Sequence, residues 1–205
     1  MKYPKVQMPK RFAIDDRMFV FPKDVSEPDK VTIFRGPNIG APPTNDPFPA
    51  MVRGVASIKV GDKVTTDHII PAGARMKYRS NVPKYSEFVF ENVDPEFASR
   101  AAKVRDGGRH NVIVAGASYG EGSSREHAAI CPMFLGVKVV LAKSFQRIHT
   151  DNLVNFGILP LTFADEKDYD GIAVGDELEI ADVPRALKEG TPLAVRNLTR
   201  KTTIE

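Results

Sequence analysis

The sequence has a single cysteine, Cys131, among its 205 residues. One thiol closes no intrachain disulfide. Nor can it hold an iron–sulfur cluster or a structural zinc, which take about three or four soft ligands. The histidines His68, His110, His127 and His149 are scattered without HxxxH spacing, and each reads as a hydrogen-bonded structural residue, so no metal site is expected. No apolar run approaches the roughly 18 to 20 residues that cross a bilayer, so no membrane partner is expected. The opening Met-Lys-Tyr-Pro-Lys lacks the apolar centre of a secretory leader, and a cytoplasmic address is the expectation. No block of five or six like charges occurs, and the net charge is only +3. The sequence contains no internal repeat.

What is present is ordinary in bulk and uneven in distribution. A composition 42% hydrophobic and 27% charged suits one folded domain with an appended arm. Residues 1–50 hold nine of the 16 prolines, and a run such as Gly36-Pro37-Asn38-Ile39-Gly40-Ala41-Pro42-Pro43 excludes helix and interior strand. This stretch is expected to be an arm or linker with one short strand near Val31 to Phe34, and residues 51–205 to be the folded domain. The opening Tyr3-Pro-Lys-Val-Gln-Met-Pro9 looks like an interdomain linker, which suggests a domain of a longer chain.

Within the domain, Gly54 to Val60 alternates as a strand, and a Thr- and Asp-rich loop follows at Thr65 to Ala74. Glu91 to Arg105 predicts a helix. Val112 to Ala115 and Val137 to Ala142 are continuous apolar runs, as strands buried on both faces require. Between them, Gly116 to Gly122 is a glycine-rich loop. The Ser123–Glu126 spacing of a capping box starts a helix there, which Pro132 limits or kinks. Ser144 opens a second helix that stops at Gly157, and Ile158 to Phe163 is a third strand. The pattern is α/β, a parallel β-α-β-α-β core. Val174 to Ile180 and Leu193 to Ile204 alternate as extra antiparallel strands.

A glycine-rich turn between a buried strand and a helix N-terminus is a ready anion site, and phosphate loops share it. At such a terminus Ser123 and Ser124 would favour an alkoxide over a neutral hydroxyl, and the Arg125 fork suits a carboxylate. Taken alone, the same serines fit an ordinary helix cap better, since Ser is among the commonest residues there. The loop Thr65-Thr66-Asp67-His68 with Arg79 brings an acid, an imidazole and a guanidinium within short reach, or makes an Asx-type turn with solvated neighbours.

Four segments together carry a resemblance. Thr65-Thr-Asp-His-Ile69 with Pro71-Ala-Gly73, Tyr119-Gly-Glu-Gly-Ser-Ser-Arg-Glu-His127, Lys143-Ser-Phe-Gln-Arg-Ile-His149 and Gly157-Ile-Leu-Pro-Leu-Thr-Phe163 resemble the C-terminal domain of aconitases, in order, over roughly residues 37–163. Arg35-Gly-Pro-Asn-Ile39 and Asp46-Pro-Phe-Pro49 resemble its lead-in. The resemblance implies a swivelling three-layer β/β/α domain that closes over a 4Fe-4S cluster held by other domains, in cis or as a large subunit, with no cofactor bound by this chain itself. It implies Ser123 as the alkoxide base and Asp67 as the group that positions the basic residues. Arg79, Ser124 and Arg125 would then bind the carboxylates of a tricarboxylate substrate in reversible citrate, cis-aconitate and isocitrate interconversion. A poor carbon acid needs such a dehydrated base and fixed cations. Cys131 would be a buried small hydrophobe.

Gly-Ser-Ser-Arg-Glu-His is shared with the small subunits of isopropylmalate and homoaconitate isomerases. Tyr119-Gly-Glu-Gly and Arg79 favour the aconitase side, because Arg79 suits a third carboxylate. Some relatives of aconitase bind RNA, and the sequence pI near 8.9 is compatible with that. No basic stripe or interleaved aromatic pattern supports it, so nucleic acid is not an expected partner.

Overall fold

The computed structural model describes residues 3–19 and 28–204. The chain divides into two units, residues 1–35 and 36–205. In the first, the described regular structure is two single 3-10 turns, Asp16–Met18 and Pro28–Lys30. The strand expected near Val31 to Phe34 does not form. A strand needs a ladder partner, and Ile33 and Phe34 instead stand 78% and 92% exposed.

The second unit is built on one seven-stranded mixed sheet. Its strands are β1 (Val52–Val60), β2 (His110–Ala115), β3 (Val137–Ala142), β4 (Leu159–Thr162), β5 (Glu177–Ile180), β6 (Val195–Asn197) and β7 (Thr202–Ile204). Their order is β4-β3-β2-β1-β5-β6-β7. β1 to β4 run parallel, and β5 to β7 continue antiparallel from the free side of β1. The α/β class and the parallel core with added antiparallel strands are therefore observed.

Alternation on the parallel strands sets the layers. Ile113, Ala115, Val140 and Ala142 face a core shared with the helices α2 (Val82–Ser86), α3 (Phe97–Asp106), α4 (His127–Phe134) and α5 (Arg147–Asn155). Val112, Val114, Val139 and Leu141 face the other way, into a core they share with Leu178, Ile180, Val195 and Ile204. Those last four belong to the far end of the sheet. For them to meet β3, the sheet must curl back over its own face, which gives two β layers and one helical layer. Each Val, Leu or Ile among them, fully buried, stabilises by roughly 1.5–3 kcal/mol.

Buried polar groups pin the layers. Asn111 donates to the carbonyls of Ala101 and Leu135 and accepts from Ser57 Oγ, tying β2 to the middle of α3, the end of α4 and β1. Three helices start later than their sequence patterns suggest. α3 begins at Phe97, not Glu91, because residues 88–94 close successive short turns while Phe90 N–H is drawn to the distant Ile69 carbonyl. α4 begins at His127, not Ser123: Glu126 is its N-cap and no side chain caps it, so the Ser123–Glu126 box does not form. α5 likewise starts at Arg147, with Ser144 engaged elsewhere.

Candidate functional site

The loops that leave the C-terminal ends of β1, β2 and β3 meet at one edge of the sheet, where open α/β sheets bind ligands. The β2–α4 loop, residues 116–126, is fastened on both flanks. On the β1 side, Ala117 N–H donates to Asp62 Oδ1 at 2.7 Å, and Gly120 N–H donates to the Val64 carbonyl at 2.8 Å. Thr66 N–H donates to the Glu121 carbonyl at 2.9 Å, and Thr66 Oγ1 to the Ser123 carbonyl at 3.0 Å. On the β3 side, Ser118 N–H donates to Ser144 Oγ at 2.8 Å, and Gln146 Nε2 donates to Ser118 Oγ at 2.7 Å. Gly120 is required where it stands. Its φ is +86°, and a Cβ there would lie 2.2 Å from the His149 ring.

This loop presents Ser123 and Ser124 exposed at a cleft of about 220 Å3, lined also by Thr66, Arg125, Arg147 and Asn152. The late start of α4 changes the electrostatics expected from sequence. Ser123 lies a full turn ahead of the helix, and the dipole field fades within such a distance. The positive charge around the serines comes instead from guanidinium groups. Arg125 is largely buried, and its fork meets the Asp67 carboxylate at 2.7 and 3.3 Å while also donating to the Ile70 carbonyl. The Arg125 hydrogen bond holds the Asp67 carboxyl below its ordinary range.

Asp67 reaches that position because α1 (Thr66–Ile69) is capped by Thr65. The Thr65 side chain accepts from His68 N–H, and His68 Nδ1 accepts from Thr65 N–H. Thus Asp67, Ser123, Ser124 and Arg125, which sequence reasoning singled out, come together. Arg79 does not join them. It ends the 3-10 helix Gly73–Tyr78, its carbonyl accepts from His127 Nε2 at 2.8 Å, and its side chain is exposed outside the cleft lining.

Sequence reasoning missed the far wall: Gln146, Arg147, His149 and Asn152, from the start of α5. The signal was the Lys143–His149 segment, which bears on the resemblance but drew no residue role. As for metal ligands, Cys131 is buried in α4, and burial pushes its thiol up to about 12, so it does not fit a thiolate ligand. Among the described residues no three His, Cys, Asp or Glu side chains gather as a metal-binding group. The donor set does not fit an iron–sulfur cluster.

Residues 58–166, more than half of the chain, match the family described as the aconitase C-terminal domain. The chain is 35% identical to homocitrate dehydratase of Saccharomyces cerevisiae, over 84% of this chain and 25% of that protein. It is 46% identical to a 3-isopropylmalate dehydratase small subunit of Archaeoglobus fulgidus, over 60% of this chain and 67% of that protein. A solved 3-isopropylmalate dehydratase structure from Methanocaldococcus jannaschii superposes with a TM-score of 0.61 at 34% identity, covering 76% of this chain and 80% of that one. The chain spans about a quarter of the homocitrate dehydratase, and 19% of a putative aconitate hydratase of Emericella nidulans to which it is 40% identical.

The cytoplasmic address expected from the opening residues is corrected by these relatives. The homocitrate dehydratase and the aconitate hydratases of Emericella nidulans and Candida albicans are named mitochondrial, which points to mitochondria. Address is read from leader peptides by receptors, and the composition of a packed domain does not encode it. The named relatives are dehydratases and hydratases, so the match is to hydro-lyases, whose complete aconitase-type members imply an iron–sulfur cluster. On the family match and the shared fold, this chain belongs to the aconitase C-terminal domain family.

Proposed function

We propose that this chain is the swivel domain of an aconitate hydratase, with residues 1–50 as arm or linker and 51–205 as the swivelling body. It would supply the base and carboxylate clamps for the citrate, cis-aconitate and isocitrate interconversion. The observation that carries the reading is the β2–α4 loop, fastened on both flanks yet leaving Ser123 and Ser124 exposed beside the Arg125–Asp67 fork. That is the preorganisation a carbon-acid base requires, because the loop need not reorder as charge develops.

In this reading the Ser123 alkoxide takes the proton from the carbon next to a substrate carboxylate. The electron pair of that C–H bond forms the new double bond as the hydroxyl group departs toward the partner domains. Ser124 and Arg125 hold the carboxylate that shares the developing charge. Asp67 fixes the plane of the Arg125 guanidinium. Arg79, outside the cleft lining in the isolated domain, meets a further carboxylate once the cluster-bearing domains close over the cleft. The cluster belongs to those domains, in cis or as a large subunit, and no step assigned to this chain runs through it.

A second reading is the small subunit of a 3-isopropylmalate or homoaconitate isomerase. It is favoured by the 80% coverage of the Methanocaldococcus jannaschii chain and the 67% coverage of the Archaeoglobus fulgidus small subunit. The two readings separate when the chain is assembled with cluster-bearing domains and offered citrate, homocitrate and 3-isopropylmalate, following the ultraviolet absorbance of the unsaturated product. Turnover of citrate above the others supports the aconitate reading. Turnover of 3-isopropylmalate or homocitrate alone would replace it.

A further inference from the structure

Five side-chain polar atoms are buried without a hydrogen-bond partner among the described residues. Four lie in one place: the Tyr119 hydroxyl, both ring nitrogens of His149, and Asn152 Nδ2. The Tyr119 and His149 rings are 5.3 Å apart, and Asn152 follows His149 by one turn of α5. Buried polar atoms are rarely left unmatched, so such a cluster marks a place organised for something other than packing. His149 is 2% exposed, and together with Asn152 it lines the cleft that Ser123 and Ser124 open onto. Burial pushes the His149 imidazole down to about 4, so at neutral pH it is an uncharged group.

The start of α5 adds three donors to the same wall. Gln146, the N-cap, makes no side-chain cap bond, and among the described residues the N–H groups of Arg147, Ile148 and His149 meet no acceptor. The Arg147 side chain is exposed, lines the cleft, and forms no ion pair among the described residues. Charge then separates the two cleft guanidiniums. Arg125 already faces Asp67, whereas Arg147 has no counter-ion among the described residues.

We propose that the first turn of α5, with Arg147 at its mouth and His149 and Asn152 in its wall, is a second carboxylate subsite of the cleft. It takes the substrate carboxylate remote from the carbon that Ser123 deprotonates. The inference rests on the reading of the cleft given under Proposed function. Free helix N–H groups, the helix dipole and an unpaired guanidinium all favour an anion at this point.

The test titrates the isotopically labelled 205-residue chain with propane-1,2,3-tricarboxylate, a non-reacting probe, and follows backbone amide resonances, with acetate and inorganic phosphate in parallel. Saturable shifts are expected at Arg147, Ile148 and His149, with affinity falling roughly fivefold in Arg147→Gln, whose exposed side chain can be changed without unpacking the core. Acetate should bind far more weakly. Shifts that bypass the first turn of α5, an affinity unchanged in Arg147→Gln, or equal binding of phosphate would each overturn the subsite. In the assembled enzyme Arg147→Gln should raise KM by a similar factor while kcat holds. If the unaltered assembly turned over none of the offered acids while the α5 shifts persisted, the functional reading would fail and the anion subsite would stand.

Discussion

In the parallel half of the sheet, the loops beyond β1, β2 and β3 hold Ser123, Ser124 and Arg147 toward open cleft, with the Arg147 cation unpaired among the described residues. In the antiparallel half, buried charges are matched within the chain. Glu179 accepts from Arg53 at 2.9 Å and Arg196 at 2.8 Å, and Asp176 accepts from Ala173 N–H, Asn197 Nδ2 and Arg200 Nε. The contrast separates two uses of polar groups. Charge satisfied internally fixes a fold, whereas charge left unmatched at the mouth of a cleft is available to a ligand.

Substitutions in the two halves should therefore fail differently. The largest effect is expected for Ser123→Ala in the assembled enzyme: a loss of turnover of roughly a thousandfold or more, with KM and melting temperature nearly unchanged. Steady-state kinetics beside a thermal melt checks this, and near-normal turnover would remove Ser123 as the base.

Gly120→Ala should join the two behaviours. The positive φ and the 2.2 Å approach to His149 together imply a stability loss on the order of 3 kcal/mol, with the serine loop displaced as well. Urea unfolding measures the first and turnover the second.

Asp176→Ala, in the other half, should cost about 2–3 kcal/mol by urea unfolding and leave turnover per folded molecule intact. The same carboxyl gives a pH dependence of definite sign. Burial alone would raise its pKa, but the hydrogen bonds from Ala173, Asn197 and Arg200 outweigh burial and hold it below its ordinary value. Its contribution is thus present above the unfolded-state pKa of about 4 and is lost as pH falls through the lower folded value. Acid melts of Asp176→Asn should show a shallower decline than the unaltered chain.

A smaller effect is expected for Arg79→Lys: about a tenfold rise in KM, roughly 1.4 kcal/mol, with kcat retained, because an ammonium cannot reproduce the guanidinium fork. An unchanged KM would place Arg79 outside the substrate's reach, where its exposed side chain stands in the isolated domain.

How much of this was legible in the sequence follows from the range of the interactions concerned. Val112 to Ala115 and Val137 to Ala142 declare themselves because burial on both faces demands unbroken apolar runs. Gly157 declares the end of α5, and its φ of +68° is why. The start of α4 did not follow from Ser123 and Glu126. The Ser123 carbonyl is held by Thr66, and Arg125 is drawn to Asp67, 57 and 58 residues away, and no local window contains those partners. The strand expected at Val31 to Phe34 failed for the same reason, since strand propensity is realised only beside another strand.

At the site, Asp67, Ser123, Ser124 and Arg125 were singled out by the resemblance of their motifs, since as polar groups at strand–loop junctions they fit a helix cap or an Asx-type turn as well. Arg147, His149 and Asn152 were not. Their meaning depends on α5 packing against Gly120, a contact that only the tertiary fold creates.

The central claim is that this chain carries the proton-abstracting and carboxylate-binding half of an active site whose other half lies on the cluster-bearing domains. It is tested most directly by measuring citrate dehydration by the purified 205-residue chain, by the cluster-bearing domains, and by the two together. Turnover only in the mixture, abolished by Ser123→Ala, is the expected result. Turnover by either part alone, or a mixture indifferent to Ser123, would contradict the division.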